Sequence, residues 1–172
     1  SSSGSTRSQL YNPYDVHVTP SGTMYILEYW TCRVMKWTMG EPMGFVVAGG
    51  QEKGNGFMQL SWPQGVVVDQ LGTVYVVDGD NHRIMRYLAN GTGGTNGFLA
   101  AGGGGAGNVA TRLNYPWGIH SFPSVTNDLF ITSYYGHNVM RWTPGSSSGT
   151  FLVGTPGVAG SSASQLSHPM GI

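Results

Sequence analysis

Charge is scarce in this chain. Only 9% of its 172 residues are Asp, Glu, Lys or Arg, against about 25% in ordinary soluble domains. The 8 basic and 8 acidic residues cancel to a formal net charge of zero. The basic residues are scattered from Arg7 to Arg141 rather than gathered into a stripe. A nucleic-acid binder needs a basic face to hold phosphates, so nucleic acid is not an expected partner. Long apolar runs are also missing, and none approaches the roughly 20 residues that span a bilayer. Cysteine occurs once, at Cys32. An internal disulfide is therefore excluded, and Cys32 reads as a buried thiol or as a partner for a cysteine elsewhere. No secretory signal is visible.

Glycine and aromatic residues are abundant: 28 Gly, 9 Tyr, 6 Phe and 5 Trp. With 40% hydrophobic residues the chain has enough apolar material for a core. The stretch FLAAGGGGAGN at 98–108 fits G-x-G-x-x-G through Gly102, Gly104 and Gly107, the spacing of a dinucleotide-binding fingerprint. That fingerprint requires a helix behind it to hold the pyrophosphate. After Gly107 the chain instead continues NVATRLNYPWGI, with a proline and then a strand pattern.

Internal repetition explains the glycines better. SQLYNPYDV, MQLSWPQGV, TRLNYPWGI and SQLSHPMGI align on Pro13, Pro63, Pro116 and Pro169, at spacings of 50, 53 and 53 residues. A leucine sits three residues before each proline and a glycine nine before it, at Gly4, Gly54, Gly107 and Gly160. Met35, Met85 and Met140 repeat, as do Phe45, Phe98 and Phe151, each 18 residues before the next proline. Of the fingerprint glycines only the Gly107 position is read as recurring in every copy; the positions of Gly102 and Gly104 are not. The loop thus reads as a linker between repeated units.

Each unit divides into four short runs rich in Val, Ile, Tyr and Phe, separated by Gly, Asp and Asn. In the second unit they are 65–69, 73–78, 83–88 and 97–101, with a hairpin turn at QLGT and no capped helical period. Four strands in about 50 residues make a propeller blade. The predicted fold is all-β: a β-propeller of four-stranded antiparallel blades. The expected blades are 11–60, 61–113 and 114–166, with 1–10 the tail of a preceding blade and 167–172 the start of the next. Propellers close with 4–8 blades, so the ragged ends predict about three blades of a larger or multi-chain propeller.

These motifs, above all VYVVD followed by DNHRIMRY, resemble the NHL repeat, a β-propeller family. The third unit departs from it, with Ser133 at the position of Asp78 and Asn138 at that of Arg83. The resemblance implies three classes of function. One is a non-enzymatic scaffold. Another is a zinc-dependent peptidyl-amidoglycolate lyase, whose zinc histidines directly follow the repeat proline. Those positions here are Tyr14, Gln64, Trp117 and Met170, so the resemblance does not carry over the zinc site, and no cofactor is expected. The third is RNA binding, which relies on a basic face.

His17 and His120 share one repeat position mid-way along the first strand of their units, with Val67 between them. As metal ligands they are a weak pair without a carboxylate partner; the plainer reading is hydrogen-bonded histidines packed between blades. His82 and His137 are the signature histidine, read as structural. Tyr14, Trp117 and Met170 are expected to cluster on one face, with Tyr29, Trp30, Tyr134 and Tyr135 in the loops between second and third strands. Aromatics in a weakly charged setting suit protein or sugar recognition; the competing reading packs several of them as core. NGT at 90–92 makes Asn90 an N-glycosylation sequon. The function expected from the sequence is a secreted, non-enzymatic module that binds proteins or glycans or assembles with itself.

Overall fold

The structure of the protein is a computed structural model, which describes residues 4, 6–88, 95–122 and 127–172. Asn90 lies outside the described residues. Twelve strands form three four-stranded antiparallel sheets, each in simple sequence order. The first holds β1 (Pro13–Val18), β2 (Met24–Glu28), β3 (Arg33–Trp37) and β4 (Phe45–Gly49). The second holds β5 (Pro63–Val68), β6 (Val74–Asp78), β7 (Arg83–Tyr87) and β8 (Phe98–Gly102). The third holds β9 (Pro116–Ser121), β10 (Leu129–Ser133), β11 (Asn138–Trp142) and β12 (Thr150–Val153). The helical content of the described residues is a single 3-10 turn at Gly79–Asn81. The all-β propeller-blade architecture read from the repeat is the one observed.

The blades stack through their faces. Val66, Val68, Val74 and Val76 pack with Tyr25, Leu27, Val34 and Leu60 of the first unit. Their alternating neighbours Val67, Tyr75 and Val77 pack with Leu113, Leu129, Ile131 and Trp142 at the third blade. Side chains alternate across a strand, so a central blade must be apolar on both faces. This is why β5 and β6 read as nearly continuous valine and are buried at every position. β1 and β9 are only partly covered.

Recurring residues have local causes. A Cβ on Gly54, Gly107 or Gly160 would come within 2.6 Å of the side chain of Gln59, Arg112 or Gln165. These glycines also donate backbone hydrogen bonds to Leu60, Leu113 and Leu166, closing each linker. The structure corrects the sequence on Gly102. It does recur, as Gly49 and Gly154, all with φ between +63° and +87°. A Cβ at any of the three would collide with the carbonyl oxygen of the residue before the third strand, at Cys32, His82 or His137. The third copy arrives one residue earlier in its unit, so constant spacing hides it.

A bulge recurs at the start of each innermost strand. Pro13 pairs with Glu28 and Asp15 with Leu27, which leaves Tyr14 as an extra residue. Pro63 pairs with Asp78 and Gly65 with Val77, which leaves Gln64 extra. In the third blade the register slips at Trp117–Gly118. Bulges re-aim side chains and concentrate beside functional sites.

Candidate functional site

The bulged residues sit at one end of the three innermost strands. Tyr14, Asp15, Gln64, Gly65, Trp117, Gly118, Ile119 and the segment Met170–Ile172 line a cavity of ≈ 400 Å³ there. Tyr14 and Met170 are 45% and 48% exposed. The Tyr14 and Trp117 ring centroids are 6.3 Å apart.

From this cavity aromatic rings run in an unbroken chain across three blades. Tyr14 meets Tyr29 at 5.3 Å, Tyr29 meets Trp62 at 4.7 Å, and Trp62 meets Trp30 edge-on at 4.9 Å. On the other side Trp117 meets Tyr134 at 5.1 Å, and Tyr134 meets Tyr135 at 4.9 Å and His168 at 4.7 Å. Such tilted and edge-on pairs suit the ring quadrupoles. All seven residues singled out from the sequence therefore lie on one face: Tyr14, Tyr29, Trp30, Trp117, Tyr134 and Tyr135 in ring contact, and Met170 in the cavity wall. Trp30 and Tyr135 are more than half exposed.

Sequence reasoning missed Trp62, Tyr115, His168 and Gln64. The first three directly precede a repeat proline. Asn12, Trp62, Tyr115 and His168 all adopt positive φ, between 45° and 53°, which is uncommon outside glycine. The Asn12 and Tyr115 carbonyls accept the N–H groups of Tyr29 and Tyr134 at 3.2 and 2.9 Å, and the rings of Trp62, Tyr115 and His168 join the belt. A latch supports the strained backbone. His82 Nδ1 accepts the Tyr115 N–H at 3.0 Å, and His137 Nδ1 accepts the His168 N–H at 3.2 Å. The Trp62 N–H reaches the thiol of Cys32, which holds the same repeat position. Cys32, His82 and His137 themselves have φ between 47° and 54°.

An acceptor at Nδ1 places the neutral ring's proton on Nε2. Burial lowers the His82 pKa, against the raising influence of Asp80. Burial likewise raises the Cys32 thiol and pushes Tyr115 up to about 12, with the Tyr29 phenol next in importance.

Electrostatically the face is nearly neutral. Lys53 stands 4.0 Å over the Trp62 ring and 3.2 Å from Asp80. Gln64 is 4% exposed. Its Nε2 donates to the Trp62 carbonyl at 3.1 Å and to the Tyr115 hydroxyl at 3.0 Å. The carbonyl partner fixes which end of the amide is nitrogen. Its Oε1 is buried without a partner, an arrangement that costs about 1–3 kcal/mol.

The histidine pair lies elsewhere. His17 and His120 line a separate cavity of ≈ 770 Å³ at the opposite end of the innermost strands, with Asp69 and Phe122. His17 is half-buried and His120 is exposed. Burial lowers the His17 pKa, Asp15 opposes it, and the neighbouring His120 adds to the lowering. Neither ring makes a side-chain hydrogen bond among the described residues, unlike the packed, bonded pair expected. Among the described residues no three His, Cys, Asp or Glu side chains gather as a metal site. No helix of the described residues is long and apolar enough to cross a membrane.

The NHL-repeat profile matches residues 60–87. No curated protein matches the sequence. Solved structures do match by shape. An auxiliary nutrient binding protein from Bacteroides ovatus matches with TM-score 0.68 and 16% identity, over 91% of this chain and 42% of that one. An auxiliary nutrient binding protein from Bacteroides thetaiotaomicron matches at 0.65 and 16%, over 91% and 41%. A virginiamycin B lyase from Staphylococcus aureus matches at 0.55 and 15%, over 82% and 40%. At such identities the likeness is one of fold. The chain spans about two fifths of the length of the solved proteins it matches. The chain carries an NHL repeat, and its architecture is that of the NHL-like β-propellers.

Proposed function

We propose that the chain is a non-enzymatic interaction module, secreted from the cell, that holds proteins or glycans on the aromatic face of a propeller. The observation that carries this is the continuous ring belt from Trp30 to His168, with Tyr14, Trp30 and Tyr135 about half exposed. Rings buried only to complete a core would not be left this open. The balance of charge on the face, where Lys53 pairs with Asp80, favours recognition by stacking and hydrogen bonding over electrostatic capture. The auxiliary nutrient binding proteins of similar fold add support for a binding role. The four residues after the repeat prolines are Tyr14, Gln64, Trp117 and Met170, a set suited to contact rather than to zinc.

The same proposal covers domain organisation. Residues 11–60, 61–113 and 114–166 are one blade each, and further blades or other copies of the chain complete the propeller. The outer flanks leave apolar groups for such neighbours, with Val16 and Val18 on β1 and Leu152 and Val153 on β12 exposed. Asn90 carries glycan in the secreted protein, which intact-mass measurement of native material checks.

Alanine at Trp117 and Tyr134 tests the binding reading. Capture of ligands from glycan and peptide arrays should fall about tenfold or more, while thermal unfolding stays cooperative. Loss of folding in both variants would assign these rings to the core instead.

A further inference from the structure

We infer that the cavity at the starts of the innermost strands is a subsite for one uncharged sugar ring, an inference that rests on the aromatic face being a binding surface. The cavity's ≈ 400 Å³ falls within the range of small-ligand sites. Its walls combine two kinds of group. Tyr14, Trp117 and Met170 are apolar and part-exposed, and the tilted rings of Tyr14 and Trp117 form a corner. Gln64 supplies a buried carbonyl oxygen with no partner.

A pyranose matches both halves. Its axial C–H face is apolar and packs on an aromatic plane, while its hydroxyl edge can donate to the Gln64 Oε1. The charges present exclude other ligands. No Lys, Arg or His lines the cavity among the described residues, so a phosphate, sulfate or uronate would enter without a counter-charge. Asp15 is the acidic residue in the wall, and its oxygens are engaged by the N–H groups of Val16 at 2.9 Å and Val66 at 2.8 Å. A cation would find a single carboxylate, with no second one among the lining residues. A neutral polyol is what remains. Selection for the ring would come from the corner, and selection for a hydroxyl from Gln64, whose amide is held by Trp62 and Tyr115.

The test is a titration of the full chain with neutral methyl pyranosides and their disaccharides, followed by tryptophan fluorescence, with glucuronate as the charged comparator. At least one neutral glycoside should saturate, and glucuronate should bind at least tenfold more weakly. Gln64→Leu, which keeps the volume and removes the acceptor, should weaken that binding about tenfold. Tyr14→Ala, at an exposed ring, gives the same loss without risk to the core. Trp30→Ala, outside the cavity, should change it less than twofold. The inference is overturned if no neutral glycoside saturates, if glucuronate binds as well, or if both cavity variants bind like the wild type. A peptide array run on the same proteins separates the two readings. Peptide capture that depends on Trp30 and Tyr135, with no glycoside binding, sinks the sugar subsite and keeps the aromatic face; loss of both sinks both.

Discussion

In the second blade a carboxylate holds the junction to the innermost strand; in the third a hydroxyl does. Asp78 is fully buried. It accepts the Ser61 N–H at 2.6 Å, the Asn81 amide at 2.8 Å and Arg83 Nε at 2.7 Å. Arg83 then donates to the carbonyls of Asn55, Gly56 and Gln59, and so ties down the preceding linker. The first blade repeats the pairing with Glu28 and Arg33 at 2.7 Å. In the third blade Ser133 Oγ accepts the Asn114 N–H at 2.9 Å. Asn138 stands where arginine stood, donates to the Gly136 carbonyl at 2.7 Å and leaves its Oδ1 buried without a partner. One backbone geometry is thus held by ions in one blade and by neutral groups in the other. Burial pushes the Asp78 carboxyl upward despite the Asn81, Ser61 and Arg83 interactions that lower it. The buried pair is therefore costly in itself, and its value lies in how many partners it organises.

Breaking the ionic version should have the largest effect. Asp78→Ala strands a buried guanidinium and should cost about 3–5 kcal/mol in urea unfolding. The matching Ser133→Ala removes the hydroxyl partner of the Asn114 N–H and carbonyl but strands no charge, and should cost about 1–3 kcal/mol. Converting the second blade to the third sharpens the contrast. Asp78→Ser with Arg83→Asn should be more stable than Asp78→Ser alone by at least about 1 kcal/mol, because no charge is left unpaired. The double variant still loses the linker contacts of Arg83, so it should fall short of the wild type.

The latches give a smaller, pH-dependent effect. The folded state lowers the His82 pKa, so it favours the neutral ring that accepts from Tyr115. That contribution is complete above the ordinary histidine value of about 6.5. It is lost as pH falls through the lower folded value. The urea midpoint should therefore drop between about pH 7 and 5, and the drop should shrink in His82→Gln. Smallest of all should be Trp30→Ala on the exposed belt, within about 0.5 kcal/mol in stability.

The fold was legible because repetition amplifies weak signals. One proline, one leucine and one glycine per unit located every blade, and turn residues divided each blade into four strands. Gly102 was misjudged because its third counterpart, Gly154, comes one residue early, and spacing alone cannot register that shift. The aromatic site was half legible. Tyr14, Trp117 and Met170 follow the repeat prolines and could be grouped by position. Trp62, Tyr115 and His168 precede them, where proline favours extended backbone, and no composition signal announces positive φ. Gln64 is informative only through a missing hydrogen bond. The roles of Cys32, His82 and His137 became one role only when the backbone N–H groups they accept were placed in space.

The central claim is that the ring belt serves recognition rather than core packing. The most direct measurement compares the wild type with the triple variant Tyr14→Ala, Trp30→Ala, Tyr135→Ala for capture on glycan and peptide arrays and for thermal unfolding. The account predicts a loss of capture of about tenfold or more, equivalent to at least about 1.4 kcal/mol, with cooperative unfolding preserved. Unchanged capture, or collapse of the fold, would contradict it.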